Sequence, residues 1–402
     1  MKKVRFAVCG AGGRGGGLTE KVLCAIDAVE IVAICDLRLE MAQALAERVQ
    51  AKTGYLPAVY PSHLELMEKE SVDAMLIATS IETHASLAID AMERGVAVGM
   101  EVGGAGSEED CFRLVEAYER TKTPLMFLEN CCYGKDELLA ASLKKHGVLG
   151  DVVYCHGSYM HDCRELVCAG DGKGYNFRLE LWCKENGDVY PTHDLGPIAK
   201  ILNICRGNRM VSLSSRATVA RGMQDYIARN PQHSHLKERV FTLGDVVETL
   251  IQCENGEMIN LRLDMCLPTY YSRELTVRGT RGLYRQDGNM VMVDGDKFEK
   301  FTEALNSGER YEQQYLPEAW KNVSEAALAS GHGGMDYLML ESFVKALQSG
   351  SEMPIDVYDA ATWMSIGYLS RRSIELGGAS VEIPDFTRGA YKTRPALDVM
   401  EL

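Results

Sequence analysis

VRFAVCGAGGRGGG (residues 4–17), followed by IVAICD (residues 31–36), decides how the first part of this 402-residue chain folds. The first six residues read as a buried strand, and Gly10, Gly12 and Gly15 then fall on a GxGxxG spacing immediately before a helical segment. In that context the first glycine permits a tight turn and the second lets backbone approach a pyrophosphate. The third brings helix and strand together, and the helix N-terminus faces the phosphates with its N–H groups. Asp36 ends the second strand, where a carboxylate accepts the ribose hydroxyls of NAD and repels the extra phosphate of NADP. Arg38, two residues on, is placed to contact adenine or to accommodate NADP. The expected cofactor is NAD.

Outward from this start, short β-branched runs alternate with amphipathic stretches as far as PLMFLEN (residues 124–130), the pattern of a parallel sheet with crossover helices. Beyond Cys131 the texture changes to strands arriving in runs: DVVYCHGSYMH, RMVSLSSRATV, DVVETLIQC, MINLRLDMC and ELTVRGTRGLYRQDG. These predict a large, mostly antiparallel open sheet. The expected architecture is therefore α/β plus α+β. It comprises a Rossmann NAD-binding domain over residues 1–130, a substrate and oligomerisation domain over 131–385 whose helices pack back on the first, and a tail over 386–402.

Composition narrows the function. A net charge of -14 with no Lys/Arg cluster excludes a phosphate-backbone footprint, so nucleic acid is not an expected partner. The apolar run after MKK is too short for a signal h-region or a membrane span, which predicts a cytoplasmic protein without membrane attachment. Thirteen scattered cysteines lack the framework of a secreted disulfide scaffold and are expected to be reduced thiols. Cys131 and Cys132, read as strand neighbours, would point to opposite faces, and no CxxC or Cys/His ligand set accompanies them, so no metal is expected.

The segment ATSIETHASLAIDAMERGVAVGMEV (residues 78–102) resembles the Gfo/Idh/MocA oxidoreductases, in which Thr-His opens a helix and a strand ends in Glu-Lys-Pro. Thr83, His84 and Glu101 match, whereas Val102 and Gly103 stand where the lysine and proline belong. That lysine is a usual proton carrier of the sugar dehydrogenases, and a valine cannot replace it. A narrower resemblance runs along most of the chain. LENCCYG, GSYMHD, GDVYPTHDLGPIAKILNICRG, PTYYSR, GHGGMD, DVYDAA and EIPDFTRGA look, in that order, like the NAD-dependent α-N-acetylgalactosaminidases of glycoside hydrolase family 109.

By position, this resemblance implies that Gly10, Gly12, Arg14, Gly15, Asp36, His84, Glu101, Val102 and Asn130 lie along the cofactor. It places Tyr159, Arg178, Tyr190, His193 and Tyr271 around the sugar, with His193, Tyr271 and Tyr159 as catalytic proton carriers. Asp194, Gly196 and Ile198 fall on the dehydrogenases' DxGxH frame, which leaves the usual histidine missing and His193 just outside it. Glu129 reads equally well as structural, and His332 and Asp336 of GHGGMD read as a helix-capping loop.

The chemistry implied is transient oxidation at C3 of the sugar, elimination of the C1 substituent, addition of water and re-reduction. Imidazole and phenol suit its proton transfers because both are tunable near neutral pH. No pair of carboxylates stands out as the acid and nucleophile of an ordinary glycosidase. The alternative is an NAD-dependent sugar or inositol dehydrogenase, and a non-catalytic NAD-dependent regulator is a third reading. Such an open sheet commonly serves as a subunit interface in the superfamily this chain resembles, so the resemblance implies a homo-oligomer, and the expected partner molecule is a small glycoside.

Overall fold

A computed structural model describes residues 3–103, 105–169 and 176–402, and their contacts divide the chain into two compact units. The first comprises residues 1–135, 317–362 and 397–401, and the second residues 136–316 and 363–396 together with Leu402.

In the first unit six strands run in the order β3-β2-β1-β4-β5-β6. They are β1 (Val4–Cys9), β2 (Val29–Cys35), β3 (Ala58–Tyr60), β4 (Ala74–Ile77), β5 (Ala97–Glu101) and β6 (Leu125–Leu128). All pairings are parallel. The central strands are buried on both faces, as parallel sheets require, so they read as continuous apolar runs. Strand order reverses between β1 and β4, which opens the crevice at the carboxyl ends where such sheets bind ligands.

Met335–Ser349 forms a helix of this same unit. Its Phe343 meets Phe6 edge to face at 5.9 Å. A Cβ on Gly99 would come within 2.8 Å of the Phe343 ring, so glycine in β5 is what lets the helix seat there. Beside β6, the Phe127 N–H donates to the Ile355 carbonyl at 2.9 Å, which satisfies backbone at the sheet edge. Residues 317–362 thus cluster with the first unit, although they lie within the 131–385 segment of the sequence reading.

The second unit holds eight strands in the order β13-β12-β11-β7-β10-β9-β8-β14. They are β7 (Val152–Met160), β8 (Met210–Ala217), β9 (Val246–Cys253), β10 (Met258–Asp264), β11 (Thr276–Gly279), β12 (Gly282–Arg285), β13 (Met290–Val293) and β14 (Val381–Glu382). The pairings are antiparallel except β7 with β10, which run parallel. Burial alternates cleanly along β9 and β10: Val247, Thr249 and Ile251 face inward with Ile259, Leu261 and Leu263, whereas Leu250 and Met258 remain exposed. The helix Thr192–Ile201 packs on β7 at Gly157, where a Cβ would sit 2.9 Å from the Cβ of Asp194.

Two local expectations need correction. ELTVRGTRGLYRQDG is not one strand but the β11–β12 hairpin, folded at Thr280 and Arg281. Cys131 and Cys132 lie in a 3-10 turn, Asn130–Tyr133, in which both are buried. The Glu129 carboxylate shapes that turn by accepting the Cys131 N–H at 3.0 Å, so Glu129 has a structural role here. All thirteen cysteines are free thiols. Among the described residues no helix is long and apolar enough to cross a membrane.

Candidate active site

The glycine loop has the geometry of a nucleotide cradle. Gly10 adopts φ +100°, and a Cβ there would lie 2.4 Å from the Ala78 carbonyl oxygen; a Cβ on Gly15 would lie 2.0 Å from the Gly10 carbonyl oxygen. Only glycine permits either approach. At Gly12 and Gly13 a Cβ would meet nothing within 4 Å, which leaves open space at the N-terminus of the helix Gly13–Lys21. The Asp36 carboxylate accepts the Ala11 N–H at 2.8 Å and the Arg38 N–H at 2.9 Å, so the acid is held at the tip of β2 beside the loop. A tight turn, an open helix N-terminus and an acid in this position fit NAD.

Across the reversal in strand order, the other expected cofactor residues are tied together. His84 is buried, with Nδ1 3.1 Å from the Glu101 carbonyl oxygen and Nε2 3.1 Å from that of Thr79. Burial lowers its pKa and outweighs those carbonyls, so His84 is a neutral brace across the ends of β4 and β5. Val102 is buried, and its N–H donates to a Glu101 carboxylate oxygen at 3.3 Å.

Arg14 donates through Nε to Glu101 at 2.9 Å and through its two terminal nitrogens to Asp336 at 2.7 and 3.0 Å. Asn130 donates to the same Asp336 carboxylate at 2.8 Å, and His332 Nδ1 lies 2.8 Å from it. Burial alone would raise Asp336, but hydrogen bonds and charge from His332 and Arg14 hold it well below the usual carboxylate range. Burial alone would likewise lower Arg14, and Glu101 with Asp336 push it above its ordinary value. GHGGMD is thus more than a helix-capping loop: Asp336 organises Arg14 and Asn130.

The sugar-facing candidates belong to the second unit, where four of the five converge. Tyr159 lies near the end of β7, Tyr190 and His193 flank the start of the helix Thr192–Ile201, and Tyr271 comes from the loop after β10. The Tyr159 ring stacks on Tyr190 at 5.1 Å, stands 5.1 Å from His193 and meets Tyr271 edge to face at 6.0 Å. Tyr190 and His193 are 5.1 Å apart. An isolated bridge between Met160 and Ser272 clamps the Tyr271 loop to β7 with two N–H···O bonds of 3.1 Å. The cluster rests on a core containing Trp182, Leu179 and Cys163. The Arg178 guanidinium lies over the Phe177 ring at 4.5 Å. Asp194 is buried against Gly157 of β7.

Two further residues belong to the cluster that the sequence reading did not single out. His161 Nδ1 lies 3.1 Å from the Tyr159 hydroxyl, and its ring stands 5.2 Å from Tyr271. Arg273 donates to the Tyr271 hydroxyl at 3.0 Å and to the buried Glu137 carboxylate at 2.7 Å. Period-two spacing on extended backbone was the available signal, because residues 159 and 161, and 271 and 273, share a face.

Asp188, two residues before Tyr190, is fully buried, and burial raises its carboxyl to about 7 despite a backbone hydrogen bond from Tyr190. A folded-state pKa above the unfolded value means the native state binds the extra proton, so stability falls as pH rises from about 4 to 7. Asp188→Asn is therefore expected to raise the melting temperature at pH 8 and to leave it unchanged at pH 4, as a pair of calorimetric scans would show. Equal effects at both pH values would refute the assignment.

Residues 4–128 match the family described as "Oxidoreductase family, NAD-binding Rossmann fold", and residues 133–393 match "Glycosyl hydrolase 109, C-terminal domain". A glycosyl hydrolase family 109 protein of Stenotrophomonas maltophilia (strain K279a) is 36% identical over 98% of this chain and 91% of its own length. An alpha-N-acetylgalactosaminidase of Tannerella forsythia is 35% identical over 96% of this chain and 87% of its own. A levoglucosan dehydrogenase solved with NADH and L-sorbose superposes with a TM-score of 0.71 at 16% identity, covering 96% of this chain and all of that one. At that identity the superposition establishes the fold alone.

Proposed function

The chain belongs to the glycosyl hydrolase 109 family, and from that premise we propose that this NAD-dependent glycosidase hydrolyses an α-N-acetylgalactosaminide or a related hexoside with no net oxidation of the sugar. The observation that carries the reading is the convergence of Tyr159, Tyr190, His193 and Tyr271, from separate segments, into one ring cluster. The domain roles proposed are cofactor binding by the N-terminal Rossmann segment and sugar binding by the segment that follows it.

Bound NAD supplies a reversible hydride acceptor for C3 of the sugar. His193 takes the proton from the C3 hydroxyl as that carbon becomes a carbonyl and returns it at the end of the cycle, with Tyr159 beside it as the second proton carrier at C3. The carbonyl acidifies the C2 proton, which Tyr271 removes as the bond from C1 to the leaving oxygen breaks. Water then adds across C1 and C2. Tyr190, stacked on Tyr159, provides an apolar wall, and Arg178 is proposed to hold a sugar hydroxyl. The cofactor residues Gly10, Gly12, Arg14, Gly15, Asp36, His84, Glu101, Val102 and Asn130 are proposed to hold NAD directly or through their neighbours.

Purified enzyme with an aryl α-N-acetylgalactosaminide is expected to release the aryl alcohol with no net gain in NADH absorbance, and to exchange the C2 proton for deuterium in heavy water. Steady NADH accumulation would instead support the sugar dehydrogenase reading, and retained C2 hydrogen would refute the elimination route. A homo-oligomer through the exposed face of the eight-stranded sheet is proposed on the uncovered Leu250 and Met258, and light scattering tests it. The thirteen free thiols support a cytoplasmic location, which cell fractionation checks.

A further inference from the structure

Three side chains of the first unit converge on one buried carboxylate. Asp336 takes two hydrogen bonds from Arg14 and one from Asn130, with the His332 imidazole against it, and Arg14 reaches on to Glu101. The charges of this cluster do not cancel, because one guanidinium faces two carboxylates. His84, braced against the Glu101 carbonyl, is neutral, and His332 is half-exposed and pairs with a carboxylate already held by Arg14. Arg14, Asp336 and Glu101 together therefore carry one net negative charge.

Its place in the fold gives that charge a target. In the order β3-β2-β1-β4-β5-β6 the ribose-binding acid, Asp36, follows β2 on one side of the strand-order reversal. Glu101 ends β5 and Asn130 follows β6 on the other side. A dinucleotide lies across that reversal, so the half opposite the adenosine ribose receives the nicotinamide. The nicotinamide ring is cationic in NAD⁺ and neutral in NADH, whereas the rest of the molecule keeps the same charge. A fixed negative charge on this half discriminates between the two, and partial burial of the cluster limits solvent screening.

We propose that Asp336 sets the oxidation-state preference of the cofactor site: by locking Arg14 between itself and Glu101, it leaves a net negative charge that favours NAD⁺ over NADH. The consequence suits an enzyme that must return its electrons to the sugar each turnover, because the reduced cofactor is the less stable bound form. Asp336 is in this respect a positioning residue, acting through Arg14 and through the charge of the cluster.

The test is a pair of equilibrium titrations on the full-length protein stripped of nucleotide, with NAD⁺ and NADH measured separately at pH 8, above the ordinary imidazole range. Wild type is expected to bind NAD⁺ more tightly. Asp336→Asn is expected to shrink that preference by about tenfold, which for a two-electron couple corresponds to about 30 mV in the potential of the bound cofactor. Glu101→Gln removes the same charge while leaving the bonds from Arg14 and Asn130 to Asp336 in place, and is expected to shrink the preference comparably. Equal weakening of both nucleotides by Asp336→Asn would overturn the proposal, since a purely structural role predicts that result. If Asp336→Asn does not fold, an unchanged ratio in Glu101→Gln overturns it. No sugar enters the measurement, so its outcome is independent of the glycosidase reading.

Discussion

Tyr271→Phe is expected to lower kcat on an aryl α-N-acetylgalactosaminide by about a thousandfold, the scale of a positioned general acid or base, while NAD affinity and melting temperature stay at wild-type values. The substitution removes one oxygen and leaves the ring that packs against Tyr159 and His161. Tyr271 is half-exposed, so little core packing is at stake. What is lost is the hydroxyl oxygen that Arg273 holds at 3.0 Å and that is proposed to take the C2 proton. Loss of activity should coincide with loss of C2 deuterium exchange, because both need the same proton transfer. A variant that keeps exchange but fails to turn over would place Tyr271 at a later step, and one within tenfold of wild type would remove it from the chemistry.

Arg273→Met acts on stability as well as rate. Arg273 and Glu137 are both buried and joined at 2.7 Å, with Gln286 donating to the same Glu137 oxygen at 2.9 Å. Removing the arginine strands a carboxylate with no counter-charge at that contact, a change that costs about 3–5 kcal/mol in buried pairs. Replacing both partners should be far milder, because two apolar side chains of similar volume avoid the desolvation of either charge. Chemical denaturation of Arg273→Met and of the double variant with Glu137→Leu is therefore expected to show a deep loss in the first and a substantial recovery in the second. Equal losses would mean that the pair does not couple. The double variant, though folded, should still be slow, since Tyr271 has lost its cation.

Parts of this architecture were legible in short stretches of sequence because their causes are local. The β1 run, the glycines at 10, 12 and 15 and the acid at 36 each follow from backbone sterics or from a strand's end. The structure shows the close contacts at Gly10 and Gly15 that those glycines permit. The clustered rings were legible only through family motifs, since nothing in the composition distinguishes Tyr159 or Tyr271 among 18 tyrosines. Arg178, selected by the same route, has its guanidinium over the Phe177 ring, a contact that no motif specifies.

Sequence by itself determined the cofactor class, the parallel and the mostly antiparallel sheets, and the order of the motifs, all of which arise from near-neighbour periodicity or from turns that only glycine can make. Tertiary structure alone decided that Asp336 meets Arg14 across 322 positions and Asn130 across 206, and that Arg273 links Tyr271 to Glu137. The physical reason is the range of the interaction. A buried carboxylate takes whichever cation the packing of distant segments brings within hydrogen-bond reach, and no local pattern records that choice.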